Sequence, residues 1–245
     1  LKKPLVDIGG FLFRPIAHLK TCFSTCRGTP RQGSLTPSTR GVMHLAPGVP
    51  KDSLDGLQGY SHVTILYVFH LNTNVVKQSL AQAAPATSAS PPTPGKRKRR
   101  PGKGPAFSFT AKIAPPALRG KRVGVFATRT PHRPNHVGLI VAKLDKVDLR
   151  LGRLHVSGID CVDGTPVIDI KPYVPYADCH PYATVPSWVS SNAVVHFDVK
   201  LSPEAATAAP HLISSCKLYQ DVESVLQAVK EVLAVNIRNA FQQGG

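Results

Sequence analysis

Residues 122–148 read RVGVFATRTPHRPNHVGLIVAKLDKVD, and residues 154–178 read LHVSGIDCVDGTPVIDIKPYVPYAD. Three short apolar runs rich in β-branched residues, Val123–Ala127, Val137–Leu144 and Leu154–Ile159, have the length and composition of strands. Two polar loops, Thr128–Asn135 and Asp160–Pro166, separate and follow them. The first sets Arg129, His132, Arg133 and Asn135 among prolines. Propensity alone gives little reason for such a loop, and loops held at strand ends are where binding groups collect. An ordinary proline-rich turn is the competing reading of the same residues.

Working outward, residues 11–20 and Gly41–Leu45 read as strands, and Asp52–Gly59 as a short helix or turn. His62–His70 is nearly continuous in apolar and β-branched residues, which predicts a central strand buried on both faces. Ala193–Lys200 alternates and reads as a further strand. Residues 221–240 carry Val222, Val225, Leu226, Val229, Val232 and Leu233 at helical spacing, with Asp221 as N-cap. Between the strands, residues 72–110 hold an Ala/Pro/Ser/Thr tract and the run KRKRR at Lys96–Arg100. Such a segment buries too little apolar surface to order itself, so it reads as a disordered basic insertion. Strands outnumber helices and do not alternate with them, so a doubly wound sheet is excluded. No G-x-G-x-x-G, P-loop, G-x-S-x-G or H-E-x-x-H motif occurs either.

Lys and Arg outnumber Asp and Glu by 30 to 14, for a net charge of +16 and a pI of about 10.0. Six of those cations lie in Lys96–Lys103, and the remainder is still clearly basic. The balance predicts a polyanionic partner, nucleic acid ahead of a membrane surface. No apolar run is long enough to span a bilayer. The five cysteines (22, 26, 161, 179 and 216) show no disulfide-scaffold spacing. That suits a reducing, intracellular compartment, cytoplasmic by default with nuclear or organellar sites open. Cys22 and Cys26 have no second pair, so no metal is expected. The chain opens at Leu1 without methionine, which reads as a fragment or processed form.

Three places carry candidate chemistry. Arg27–Gly33 (RGTPRQG) is a basic, glycine-containing turn able to hold an anion, or else a solvated loop. His70 ends a strand, where an imidazole is a ligand or a satisfied structural group. Asp160, Asp163 and Asp169 lie together with Ser157, Gly158, Thr165 and Lys171; the pair Asp163–Gly164 is also a turn signal.

The segments GVFATRTPHRPN, SGID and DGTPVIDIKPY resemble the signature of the TrmO (TsaA-like) family, as do GTPRQ at Gly28–Gln32, GLQGYSH at Gly56–His62 and VFH at Val68–His70. The likeness covers about residues 11–72 and 113–178, and more weakly 186–242. It implies a mainly β fold, a small antiparallel β-barrel over residues 11–200, interrupted by the 72–110 insertion, followed by a truncated C-terminal helical segment at 201–245. It implies an S-adenosylmethionine-dependent tRNA methyltransferase acting on N6 of threonylcarbamoyl-adenosine at position 37, working as a homodimer. Carried over by position, cofactor contacts fall on Pro30, Arg31, Gln32, His70, Leu71, Arg129, Leu139, Ser157, Gly158, Ile159 and Asp160. Asp160 would accept from ammonium or ribose hydroxyls, and Arg31 or Arg129 would pair with the carboxylate. Methyl transfer needs alignment and loss of the N6 proton. Asp163 is the expected base, with Asp160 or His132 behind it.

The chain departs from the family pattern in several places. Asn135-His136 stands where N-P is usual, and Leu71 replaces a polar residue, leaving only its backbone as a contact. Pro115-Pro116-Ala117-Leu118 lacks a cation, and Asn236-Ile237-Arg238 replaces D-P-R. Two other functions stay open on sequence: a noncatalytic RNA-binding module of the same fold, and a methyltransferase of that fold with another substrate.

Overall fold

A computed structural model describes residues 13–26, 28–30, 32–71, 109–189, 196–213 and 216–235. Six strands close into an antiparallel barrel: β1 (Ala17–Thr21), β2 (Arg40–Leu45), β3 (His62–Val68), β6 (Val137–Asp148), β7 (Arg153–Ser157) and β8 (Thr165–Pro172). Around the barrel the order is β1-β2-β7-β6-β3-β8, and β8 returns to β1. A separate two-stranded ribbon joins β4 (Lys112–Ile113) to β5 (Val123–Gly124). Among the described residues three helices follow: α1 (Pro175–Asp178), α2 (Pro203–Ile213) and α3 (Val222–Ala234).

Period-two burial builds the core. Ala17 and Leu19, Met43, Val63, Ile65 and Tyr67, Ile140, Ala142 and Leu144, Leu154 and Val156, and Val167 all point inward. Each large aliphatic buried this way contributes about 1.5–3 kcal/mol. β6 turns the corner: residues 137–143 pair with β3, residues 143–148 pair with β7, and a bulge near Leu144–Lys146 bends the strand between them.

Strand direction fixes where the loops go. β1, β3 and β7 end, and β2, β6 and β8 begin, at one mouth of the barrel. The described residues of segments 22–39, 69–71, 125–136 and 158–164 therefore all lie there.

Several expectations need correction. Val123–Ala127 is not one strand: β5 stops at Gly124, and Val125–Ala127 is a 3-10 turn closed by Thr128, which donates to Val125 O at 2.7 Å. β3 is not buried on both faces. Its outward residues, Thr64, Leu66 and Val68, are half-buried, because a closed barrel has an inside and an outside. Ala193–Lys200 forms no strand among the described residues; it gives a single bridge, His196 to Val235. The C-terminal helix ends at Ala234, and Asp221 caps it by accepting from Ser224 N at 2.7 Å. Residues 72–108, most of the expected insertion, lie outside the described residues. Among the described residues no helix is long and apolar enough to cross a membrane.

Candidate active site

The Thr128–Asn135 loop divides its polar groups between two jobs. Arg133 turns back on its own loop, donating to Thr128 O at 2.7 Å and Val125 O at 3.4 Å, with its guanidinium 5.4 Å from the Phe126 ring centre. His136 Nδ1 meets Pro131 O at 3.0 Å, and the end of β3 is tied in by Phe69 N donating to His136 O. Held this way, the loop presents Arg129. Its guanidinium donates to Leu139 O at 2.9 Å and to Gln32 Oε1 at 3.2 Å, which joins three expected cofactor residues at the mouth. The Leu139 side chain points outward and is 50% exposed.

Opposite stands the 157–160 segment. Gly158 adopts φ +72°, a left-handed conformation that only glycine adopts cheaply, and its N–H donates to Thr39 O at 2.9 Å. Ile159 is fully buried and clasped from both sides by one hydroxyl. Thr39 Oγ1 accepts from Ile159 N at 3.0 Å and donates to Ile159 O at 2.7 Å. Gly33 packs so closely on this turn that a Cβ there would run into Gly158 O. The segment thus delivers Asp160 in one orientation.

Asp160 Oδ1 is buried with no hydrogen-bond partner. Burial pushes the carboxyl pKa up to about 6, against the pull of a backbone hydrogen bond and of Arg129. The Tyr67 hydroxyl and the Cys161 thiol are both buried, and burial raises the pKa of each. A buried acceptor left open is uncommon in a folded protein and marks a place built for a donor.

The remaining expected residues are less uniform. Pro30 is buried in the loop leading to Gln32, and Arg31 lies outside the described residues. The Ser157 hydroxyl is engaged elsewhere, donating to Asp145 Oδ1 at 3.1 Å. His70 sits beyond β3 with Nε2 4.0 Å from where a Gly164 Cβ would lie; burial, then His18, lowers its pKa. Leu71 beside it is exposed. Asp163 has both carboxylate oxygens engaged: Oδ1 accepts from Thr21 N at 2.9 Å and Oδ2 from Lys20 Nζ at 3.2 Å. That carboxylate ties the end of β1 to the loop before β8. His132 lies on the Arg129 loop, its N–H donating to Thr130 Oγ1 at 3.4 Å. Sequence reasoning missed Thr39 and read Gly33 only as part of an anion-holding turn; nothing near Thr39 in the chain hints at a partner 120 positions away.

Fold and site together define a closed-barrel protein that presents an open buried carboxylate, a guanidinium and an amide around one mouth. The profile of the tRNA-methyltransferase O N-terminal domain matches residues 18–179. The human tRNA (adenine(37)-N6)-methyltransferase is 39% identical over 175 residues, covering 70% of this chain and 32% of the relative. A putative S-adenosylmethionine-dependent methyltransferase, RcsF, from Pseudomonas aeruginosa is 42% identical, covering 69% of this chain and 57% of the relative. Among solved structures, TrmO from Pseudomonas aeruginosa aligns with a TM-score of 0.64 at 29% identity, covering 94% of this chain and 82% of that one. The chain belongs to the tRNA-methyltransferase O family. It spans about a third of the human relative's length.

Proposed function

We propose that this chain binds S-adenosylmethionine at the Arg129–Asp160 mouth and methylates N6 of adenosine 37 in tRNA carrying threonylcarbamoyl. The relatives' names and the family support the reaction class. The observation that carries the site is the buried, unpartnered Asp160 Oδ1 beside Arg129. The residues fit the cofactor's donor and acceptor set. Asp160 accepts from an ammonium or ribose hydroxyl, Arg129 pairs with a carboxylate, and the Gln32 amide and the backbone of 157–159 complete the contacts. When bound, the cofactor supplies an electrophilic methyl on a sulfonium.

The protein's share is alignment and proton handling. An N–H between a purine ring and a carbamoyl carbonyl is already acidic, so a weak base suffices. Asp160, with a pKa of about 6 and an oxygen open to a donor, suits that task. It does so better than Asp163, whose oxygens hold Thr21 and Lys20. We also infer a homodimer: Leu139 and Val141 expose apolar surface on the outer face of β6 next to Arg129.

Calorimetric titration of S-adenosylmethionine into the wild type and Arg129→Ala tests the site. Binding in the wild type, abolished in the variant, is expected. Methyl incorporation into tRNA with and without threonylcarbamoyl then tests the substrate, and equal incorporation would remove that part of the reading. A monomer mass in sedimentation would remove the dimer.

A further inference from the structure

Outside the mouth, the barrel wall carries a feature the site does not use. On the outer faces of β1, β2, β7 and β6 the register stacks side chains in two neighbouring rows. One row runs His18–His44–Arg153, and the other Lys20–Val42–His155–Lys146. Six of these seven positions carry basic side chains. All six are exposed or half-exposed.

Three carboxylates border the patch, among them Asp145 beside Lys146 on the β6 bulge, where it accepts from Ser157 Oγ at 3.1 Å. Asp148, opposite Arg153 at the end of the first row, caps Leu151 N at 2.9 Å, and Asp163 pairs with Lys20 at 3.2 Å. Lys20, Lys146 and Arg153 are the permanent cations of the wall, and Lys20 shares its charge with Asp163. Burial first, then Arg153, His155 and Lys20, hold the His44 pKa below its ordinary value, so His44 serves the wall as a neutral hydrogen-bonding imidazole and not as a cation. Adjacent outward side chains on a sheet lie about 5 Å apart, a spacing at which several cations face one stretch of sugar-phosphate backbone. At its β1 edge the patch adjoins the mouth, because Lys20 stands one residue before the end of β1 and pairs with Asp163 in the loop before β8.

We propose that this wall, His18, Lys20, His44, Arg153, His155 and Lys146, is the track along which the phosphate backbone of an RNA lies as it enters the mouth. The proposal rests on the RNA substrate proposed for the mouth and adds the surface that holds it. A basic wall without interleaved aromatics reads phosphate and not bases, so it supplies affinity and leaves selection to the mouth.

The test uses the whole chain and a fluorescent tRNA, with anisotropy measured across a series of KCl concentrations. The variant Lys146→Gln/Arg153→Gln/His155→Gln is compared with Lys112→Gln/Lys121→Gln, exposed cations on and beside the β4–β5 ribbon. The wall variant should bind RNA roughly tenfold more weakly at moderate salt, with the log–log salt slope shallower by about 0.7 for each phosphate no longer neutralised. Arg153→Lys alone should keep the wild-type slope. S-adenosylmethionine affinity, measured by calorimetry in the same variants, should not move.

An unchanged slope in the wall variant, or an equal weakening in the ribbon variant, overturns the proposal. So does tighter binding of polyglutamate than of tRNA, which would make the wall a protein-docking face. Absence of cofactor binding in the wild type would instead count against the reading of the mouth. The two failures are therefore separable.

Discussion

Asp160 is held where its charge is costly and one of its oxygens has no donor. Its pKa in the folded chain, about 6, lies above the ordinary 3.8. A group raised in this way stabilises the fold below the unfolded pKa, and that contribution is lost as pH rises through about 6. Asp160→Asn should therefore be more stable than the wild type at pH 7.5, by on the order of 3 kcal/mol, with the gap closing towards pH 4. The same variant should lose cofactor affinity. A melting series across pH beside one titration checks both, and a gap independent of pH would mean that the carboxylate is solvated. Thr39 makes a complementary case. Thr39→Val leaves Ile159 N–H buried without an acceptor, at a cost of about 1–3 kcal/mol by chemical denaturation. Thr39→Ser keeps the hydroxyl and should lose only the methyl's share.

At the scale of elements, strands were legible and loops only half so. Alternation in β6 and β7 and the β-branched runs follow from side chains pointing in turn into and out of one core, a local property that sequence carries. Val125–Ala127 misled because three apolar residues fit a 3-10 turn as well as a strand, and the deciding contact, the Thr128 hydroxyl, lies beyond the run. Thr128–Asn135 was legible as a site loop, yet composition could not tell that Arg133 would brace the loop while Arg129 faced the mouth. Carboxylates were harder still: Asp160 and Asp163 are three residues apart, and only the path of β1 decides which one is occupied. The C-terminal helix also matters to the mouth. Glu231 on α3 accepts from Ser38 N and Ser38 Oγ, both at 2.7 Å, one residue before Thr39. Tyr219 adds a contact to Arg40. Glu231→Ala should lower stability by about 1–3 kcal/mol and weaken the cofactor titration as well. A change in stability alone would show that α3 only covers the barrel.

For the whole molecule, closure is the feature that orders everything else, and its seams are unequal. β3 matches β6 over seven residue pairs, whereas β1 meets β8 over three, one of them Pro166, which has no N–H to give. Hydrogen exchange should find amides bonded across β1–β8, Ile16 among them, opening before those of β3. The partners that assemble the mouth stand about 100 or more positions apart: Gln32 with Arg129, Thr39 with Ile159, Thr21 with Asp163. The chain emerges from the ribosome in order, at about 5–20 residues per second. Ala17 therefore waits roughly 7–30 s for Thr165, some 150 residues behind it. Through that interval β1 and β3 each have an edge bare of the strand that will cover it, the kind of edge that pairs with a neighbouring chain. The nascent protein is most exposed to association with its own copies just before its last strand arrives. Slow codons placed ahead of residue 165 would lengthen that hazard, whereas the same codons placed after residue 172 would not.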